Sequence, residues 1–246
     1  MERRKVINDK NGGDIRRFAF GIRTVHSIYR FLINIFYPNI CPCCEEIIDY
    51  NDDFCDECHS KLIMYNEKFY IENADLFTAY CMYDGKVRYA VRKFKYEPRG
   101  NAYYAFACGI VQALQRENVA EEIDEVVYIP MTRKAYSKRG YNQTKLIAKE
   151  IHYLLEIPCR NVLVKTHETK SQKSLGAYER RINLKDAFMV REKADVSGKC
   201  ILVIDDLCTT GSTLSEAARA LKKAGAKKVI AAAFAKTKGK ESANST

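Results

Sequence analysis

The fold is decided by the stretch Ile201-Leu202-Val203-Ile204-Asp205-Asp206-Leu207-Cys208-Thr209-Thr210-Gly211-Ser212-Thr213. Its apolar beginning, with Cys200 before it, is a continuous run of the kind found in strands inside a parallel sheet. The run ends in two carboxylates, and hydroxyl residues and a glycine then lead into a helix that we predict from Ser212 to Ala224. A strand, a polar turn and a helix in this order predict a ligand site at the carboxyl end of an α/β strand.

Apolar runs alternate with helical patterns on both sides of this stretch, beginning with the run 76–82. The remaining predicted strands are 125–130, 161–164, 200–204 and 228–234, and the longer helices between them are 101–116, 142–155 and 212–224. Gly225 follows the last of these helices, where a left-handed residue commonly ends a helix. The alternation predicts an open, mainly parallel α/β sheet that includes the strand at 161–164.

The turn after the two carboxylates has the groups of a phosphate site. Backbone N–H groups and hydroxyls at a helix N-terminus attract an anion, and Gly211 lets the backbone approach it closely. Two adjacent carboxylates would repel a bare phosphate, so Asp205 and Asp206 should face the vicinal hydroxyls of a sugar or a Mg²⁺ ion carried by the ligand. A strand followed by an N-capped helix would explain Ser212 but not the paired carboxylates.

Two C-x-x-C pairs, 41–44 and 55–58, are separated by ten residues. Four thiolates at this spacing predict a structural Zn²⁺ site, because so short a segment lacks the apolar mass to fold without an ion. The predicted ligands are Cys41, Cys44, Cys55 and Cys58. A disulfide pair and a redox C-x-x-C are the alternatives. Cys43 could replace Cys44, and His59 adjoins the second pair, so the identity of the fourth ligand stays open.

Length, composition and charge limit the class of protein. The chain has 246 residues, of which 47% are hydrophobic, enough for a globular core. Its ten cysteines are not preceded by the apolar run of a signal peptide, and no stretch is long enough to span a bilayer. We therefore expect a reducing, cytoplasmic location. The formal charge of +10 favours anionic partners.

An amphipathic helix is predicted over residues 14–37. Its apolar residues recur every three or four positions, at Ile15, Phe18, Ile22, Val25, Ile28, Tyr29, Leu32 and Phe36. We expect this face to pack against the rest of the protein, with a membrane surface or a partner groove as the alternatives.

The stretch 201–213 resembles the 5-phosphoribosyl-1-pyrophosphate (PRPP) signature of type I phosphoribosyltransferases, departing from it at Cys208, where a branched aliphatic residue is commoner. The resemblance implies that Asp205 and Asp206 hold the ribose hydroxyls. It also implies that the following turn wraps the 5′-phosphate through Cys208, Thr209, Thr210, Gly211, Ser212 and Thr213.

A wider resemblance covers nearly the whole chain. Three features precede the PRPP turn: the cysteine pairs behind a basic helix, then Tyr83-Asp84-Gly85 with Lys93-Phe94-Lys95-Tyr96, then Arg139-Gly140-Tyr141-Asn142-Gln143. With Gln172, Leu175, Arg180 and Asn183, this order resembles the ComF family of bacterial competence proteins. Two departures are the absence of a second cysteine cluster in 65–75 and Lys236 where members tend to have Arg.

Three windows concentrate the positive charge: 86–99 and 160–185 each carry a net +5, and 131–149 carries +6. The resemblance to phosphoribosyltransferases makes Met131 to Gly140 the pyrophosphate loop, with donors Arg133, Lys134, Lys138 and Arg139. It makes Thr166 to Arg180 a mobile loop that closes over the site and excludes water. The catalytic candidates are Arg139, Lys170, Lys173 and Arg180, with Arg181 beside them.

The chain is thus expected to contain the helix at 14–37, a zinc module at 38–63, a phosphoribosyltransferase-type domain at 76–237 and a flexible tail at 238–246. The resemblance implies a competence component in DNA uptake that binds PRPP with Mg²⁺, single-stranded DNA and an ATP-dependent helicase-type partner, in the cytoplasm or at the inner face of the membrane. Tyrosines interleaved with the cations would suit base stacking. The alternative is an active enzyme that transfers ribose 5-phosphate from PRPP to a nucleobase or amine.

Overall fold

The fold is described from a computed structural model, which covers residues 16–96, 102–166 and 186–238, with the side chains of the first helix from Thr24 onward. The helices are α1 (Arg16–Phe36), α2 (Asp56–Ser60), α3 (Gly85–Tyr96), α4 (Ala102–Arg116), α5 (Arg133–Arg139), α6 (Gln143–Leu155) and α7 (Ser212–Lys223). The strands are β1 (Leu76–Met82), β2 (Glu125–Tyr128), β3 (Cys159–Arg160), β4 (Leu163–Lys165), β5 (Phe188–Val190), β6 (Cys200–Cys208) and β7 (Lys228–Lys236). A short 3₁₀ helix spans Ala120–Glu122.

Five strands form a parallel sheet in the order β1-β7-β6-β2-β3. Alternate residues of β6 point to opposite faces: Leu202 and Ile204 pack with α4 and α6, whereas Ile201 and Val203 pack with α7. All four are fully buried, and each such side chain stabilises the fold by about 1.5–3 kcal/mol. The prediction of an open, mainly parallel α/β sheet is confirmed.

The register brings the ends of the central strands to one edge. Ile204 of β6 lies beside Tyr128 of β2 and Ala232 of β7. The segments that follow β2 and β6 therefore leave the sheet next to each other. This is the edge at which parallel α/β sheets bind ligands.

The strand predicted at 161–164 does not join this sheet, so its placement was wrong. β4 begins at Leu163 and pairs antiparallel with β5 in a separate two-stranded sheet. Leu163 is buried while Met189 of β5 is half exposed, so this small sheet is covered on one face only, whereas a central parallel strand is buried on both. The outer place in the main sheet is taken by the short β3, which the sequence patterns did not indicate.

The cysteine-rich segment packs against the core, in part through Phe54. Phe54 is buried and stacks against Tyr80 of β1 and Phe234 of β7, with ring centroids 6.4 and 6.2 Å apart. Aromatic pairs at this spacing contribute beyond their buried area. The segment is thereby attached to the same side of the sheet as α4.

Helix α1 packs the other way round from the prediction. Its polar residues face the body: Arg30 is buried, lies over the ring of Tyr104 and donates to the Tyr50 carbonyl at 2.6 Å, and His26 Nε2 is 3.3 Å from a Glu150 carboxylate oxygen. The predicted core-facing residues are instead exposed, namely Val25, Ile28, Tyr29, Leu32 and Phe36. The expectations for Ile15, Phe18 and Ile22 lie outside the described side chains. No described helix is both long and apolar enough to cross a bilayer.

Candidate functional site

A cleft of about 1540 Å³ opens at the carboxyl edge of the sheet. Its walls come from α3, from the segment between β2 and α6, and from the turn between β6 and α7. All the residues predicted to bind PRPP line it, from Asp205 to Thr213. The structure thus brings the two predicted groups, the acidic pair and the phosphate turn, into one cavity with three basic side chains of α5, Lys134, Lys138 and Arg139.

The β6–α7 turn is shaped by Gly211. Its φ of +76° lies in the left-handed region, and an added Cβ would come within 3.0 Å of Ile71 Cγ1 and 3.3 Å of Phe69 Cε1. Gly211 is also the N-cap of α7 and has no side chain with which to cap the first-turn amides. Those amides and the positive end of the helix dipole are therefore directed to the cleft, where an anion is favoured.

Lys236 supports the turn from below. This residue is 2% exposed, and its Nζ donates to the carbonyl oxygens of Thr209 at 2.9 Å and Thr237 at 2.8 Å. The ammonium also lies 4.1 Å from the centre of the Phe69 ring, a cation–π contact. Burial lowers the pKa of Lys236. Lys236, which stands where members of the ComF family tend to have Arg, therefore holds the backbone of the phosphate turn.

The acidic pair is compensated by a lysine. Asp206 is buried, and its Oδ2 lies 3.0 Å from Lys95 Nζ, while the Asp206 N–H donates to Asp205 Oδ1 at 2.9 Å. Burial first, and then the charge of Asp206, raise the pKa of Asp205 to about 8. For Lys95, burial alone would lower the pKa, but the two carboxylates raise it overall. The pair therefore carries less than two negative charges at neutral pH.

The segment predicted as the pyrophosphate loop is largely helical, so that loop prediction was wrong in form. Thr132 caps α5 by accepting the Ala135 N–H at 3.1 Å, and Gly140 ends the helix with a φ of +79°. Arg139 lies on the cleft side, 3.2 Å from Gln143 Oε1 and 5.8 Å from the centre of the Tyr96 ring. Arg133 is exposed and does not line the cleft as far as the described residues go.

The Arg-Gly-Tyr-Asn-Gln motif connects α3, β2 and α6. The Tyr141 hydroxyl donates to the Phe94 carbonyl, and Gln143 Nε2 donates to the Lys95 carbonyl at 3.2 Å. Asn142 caps α6 by accepting the Lys145 N–H at 3.1 Å and donates to the Ile129 carbonyl at 3.0 Å. Most of the motif thus holds the cleft wall together.

The mobile-loop predictions lie outside the described residues. They concern Lys170, Lys173, Arg180 and Arg181, together with most of the segment 166–180. The two ends that flank residues 167–185 are tied together, because Thr166 Oγ1 donates to the Asp186 carbonyl at 2.6 Å. Lys165 and Phe188, on β4 and β5, line the cleft.

Four cysteines form a second candidate site. The Sγ atoms of Cys41, Cys44, Cys55 and Cys58 all lie within 4.8 Å of one another, and those of Cys44 and Cys55 are 3.5 Å apart. Four thiolates bound to one Zn²⁺ at about 2.3 Å would be separated by about 3.8 Å, so the cluster fits a tetrahedral ion. Of the three residues considered for the fourth position, Cys44 belongs to this group, and neither Cys43 nor His59 does.

Three supporting residues were missed, or noted only as part of a motif, in the sequence. Lys95 was noted only as part of a family motif, although it follows the buried stripe Val87, Ala90, Val91 and Phe94 of α3, which places it at the edge of the packed face. Ile71 and Phe69, below Gly211, had no sequence signal because they precede β1 in an irregular segment.

The chain is similar in sequence to several known proteins. The family model for the phosphoribosyl transferase domain matches residues 145–245. Competence protein F of Haemophilus influenzae is 34% identical over 108 residues, 43% of this chain and 47% of that protein. DNA utilization protein YhgH of Escherichia coli K12 is 35% identical over 104 residues, 42% of this chain and 45% of that protein. The chain spans about half the length of the curated relatives it matches.

Among solved structures, adenine phosphoribosyltransferase from Saccharomyces cerevisiae shares 15% sequence identity with this chain. The superposition has a TM-score of 0.38 and covers 57% of this chain and 71% of the other.

Proposed function

Since the chain is a ComF-like protein with the type I phosphoribosyltransferase fold, we propose that it binds PRPP with Mg²⁺ at the cleft and acts in DNA uptake during competence. One observation carries the PRPP part of this proposal. The acidic pair and the open N-terminus of α7 are consecutive on one strand and turn, at the ligand-binding edge of the sheet.

In this proposal the ligand is held by its sugar and its phosphate. Asp205 and Asp206 accept hydrogen bonds from the ribose hydroxyls, and the turn from Cys208 to Thr213 surrounds the 5′-phosphate. Because the Cys208 side chain is buried, its contribution comes from the backbone. Oxygen donors suit Mg²⁺, which would be held by this acidic pair together with the ligand and would supply positive charge to the pyrophosphate.

The pyrophosphate is assigned to the basic wall of the cleft. Lys134, Lys138 and Arg139 line the cavity and support this assignment, whereas Arg133 has only the resemblance in its favour. Lys170, Lys173 and Arg180 are retained as mobile-loop residues on the resemblance alone. Cations at these positions would stabilise a leaving pyrophosphate.

Single-stranded DNA is the second proposed ligand, bound by the same basic wall and by exposed tyrosines beside it, Tyr96 and Tyr136. An ATP-dependent helicase-type competence partner is proposed from the family resemblance. If PRPP and DNA share the cleft, saturating PRPP with Mg²⁺ should displace a labelled oligonucleotide. DNA affinity should also fall with salt at a log–log slope of about −0.7 per phosphate contact.

The alternative function is an active phosphoribosyltransferase, and the same acidic pair favours it. In that reaction a nitrogen nucleophile attacks C1 of the ribose, the C1–O bond breaks and pyrophosphate leaves with the bonding electrons. Pyrophosphate release that depends on an added nucleobase or amine, without salt-sensitive DNA binding, would favour the enzyme. DNA binding without turnover for any acceptor would favour the competence component.

We assign Zn²⁺ to the four-cysteine cluster, defined by Cys41, Cys44, Cys55 and Cys58, as a structural ion. The tetrahedral fit of the sulfur atoms supports this choice. The proposed units are the helix at 14–37, this zinc module at 38–63, the phosphoribosyltransferase-type domain at 76–237 and a tail at 238–246, whose last residues, 239–246, lie outside the described residues.

A cytoplasmic location at the inner face of the membrane is proposed from α1. Its outward apolar residues and its lack of Asp and Glu suit an anionic lipid surface. The protein should float with anionic vesicles, and the double variant Leu32→Gln/Phe36→Gln should not. Ile47→Gln, an equally exposed apolar position on the zinc module, is the control. Equal flotation of both variants would contradict the assignment.

A further inference from the structure

Helix α3 contacts the four-cysteine cluster at its first turns. Lys86 Nζ lies 3.5 Å from Cys58 Sγ and 3.7 Å from Glu57 Oε1. One turn later the Tyr89 hydroxyl donates to Glu45 Oε1 at 2.7 Å, and Lys93 forms an ion pair with the same carboxylate. Glu45 and Glu57 each lie next to a cysteine of the cluster. The polar side of α3 is therefore attached to both halves of the module.

The last turn of the same helix reaches the acidic pair. Lys95 Nζ is 3.0 Å from Asp206 Oδ2, and the Phe94 and Lys95 carbonyls are held by Tyr141 and Gln143. A rise of 1.5 Å per residue places Lys86 and Lys95 about 14 Å apart along the axis. One short helix thus connects the cluster to the floor of the cleft.

We propose that α3 is the link through which the four-cysteine module, residues 38–63, holds Lys95 against Asp206. Binding of metal in the module and binding of ligand in the cleft are then coupled. Lys95 is a positioning residue in this account, since it acts through the carboxylates. The inference rests on the proposed function for the identity of the two ligands, but the contacts along α3 do not depend on it.

The coupling has a physical basis in burial. Asp206 is buried, and separating it from Lys95 would leave a carboxylate without its countercharge, which is strongly unfavourable. A small displacement of α3 therefore changes the electrostatics of the acidic pair. By thermodynamic linkage, a cleft ligand that binds more tightly when the module is loaded must raise the affinity of the module for its metal by the same factor.

A simpler account is that α3 is held by its apolar face alone. Val87, Ala90, Val91 and Phe94 are all buried. In that case the polar contacts to Glu45, Glu57 and Cys58 would be incidental. Cutting them would then change nothing at the cleft.

Hydrogen exchange separates these accounts without any added ligand. Lys86→Met removes the contact to Cys58, and Lys61→Met is the matched control, because Lys61 pairs with the same Glu57 at 2.7 Å but belongs to the module. We expect Lys86→Met to speed exchange at least about fivefold in residues 92–96 and 205–211, and Lys61→Met to leave both segments unchanged. Unchanged exchange at 205–211 in Lys86→Met would overturn the proposal, whether or not the protein binds PRPP.

Metal affinity measures the coupling in the other direction. With saturating PRPP and Mg²⁺, the affinity for Zn²⁺, measured by equilibrium competition with a chelating dye, should rise at least about fivefold in wild-type protein and in Lys61→Met. This rise should be lost in Lys86→Met and in Lys95→Met, and Lys95→Arg should restore it. Protein that binds PRPP but holds Zn²⁺ with unchanged affinity would refute the coupling and leave the proposed function intact. Failure to bind PRPP would refute the proposed function, and the exchange experiment would still decide the coupling.

Discussion

The four-cysteine module and the β6–α7 turn both bring together groups that repel one another when ionised, but the protein holds them in different ways. The cysteine sulfurs lie in a short segment that packs on the core through Phe54 and is held by polar contacts with α3. The acidic pair lies near the end of β6, after the fully buried residues 201–204, and Lys95 already compensates its charge.

This difference indicates which site depends on its ligand. The cleft is assembled by the sheet, by Lys95 and by Lys236, so it should keep its shape when empty. The module has little apolar mass of its own, so an ion should supply much of its folding free energy. Loss of a cysteine of the cluster should therefore destabilise the protein, whereas neutralising the acidic pair should stabilise it.

The largest effect is expected in the module. Cys41→Ser or Cys58→Ser should lose the metal, about one Zn²⁺ per chain, and should lower Tm by about 6–12 °C if about 3 kcal/mol of stability is lost. Metal analysis and calorimetry measure this. Cys43→Ser is the matched control and should retain the ion, because Cys43 lies outside the group of four. Normal metal content in the first two variants would remove the basis of the comparison.

The next effect concerns the support below the phosphate turn. Lys236→Met removes the charged donor of the Thr209 carbonyl, a hydrogen bond worth about 1.5–3 kcal/mol in holding the turn. Because the turn should then lose its fixed shape, PRPP affinity should fall about tenfold or more. Lys228→Met, at the other end of the same strand, should bind normally. Titration calorimetry compares the two. Equal affinities would mean that the turn is shaped without Lys236.

The smallest effect is a gain of stability at the acidic pair. The folded-state pKa of Asp205, about 8, is above the ordinary value of about 3.9, so ionising this carboxyl opposes folding. Stability should fall as pH rises from about 4 to 8 and then level off. Asp205→Asn should flatten this dependence and raise Tm at pH 8, by about 2–4 °C for each kcal/mol gained. An Asn variant that is less stable than wild type at pH 8 would contradict this view of the empty cleft.

The strand-turn-helix at 201–213 could be predicted from the sequence because one apolar run, two acids and a glycine are local signals. The group of four cysteines was predicted for the same reason. The edge of the sheet at which the turn after β6 opens follows from the parallel pairing of β6 with β2 and β7.

Other parts depended on contacts that no local pattern contains. Lys95 and Asp206 form an ion pair although more than a hundred residues separate them in the sequence. β4 pairs antiparallel with β5 instead of joining the main sheet. In α1 the amphipathic pattern was correct, but His26 and Arg30 contact residues of the body of the protein. The apolar face of the helix therefore points outward. Periodicity identifies a face without saying what covers it.

Binding of PRPP with Mg²⁺ to the wild-type protein and to Asp206→Asn tests the central claim most directly. Titration calorimetry should give a one-to-one complex for wild type, and the variant should bind at least about a hundredfold more weakly, a loss of about 2.8 kcal/mol or more. Asp195→Asn, an exposed aspartate outside the cleft lining, is the control and should bind as wild type does. Wild-type affinity in a folded Asp206→Asn protein would show that the cleft does not hold the ribose through its acidic pair.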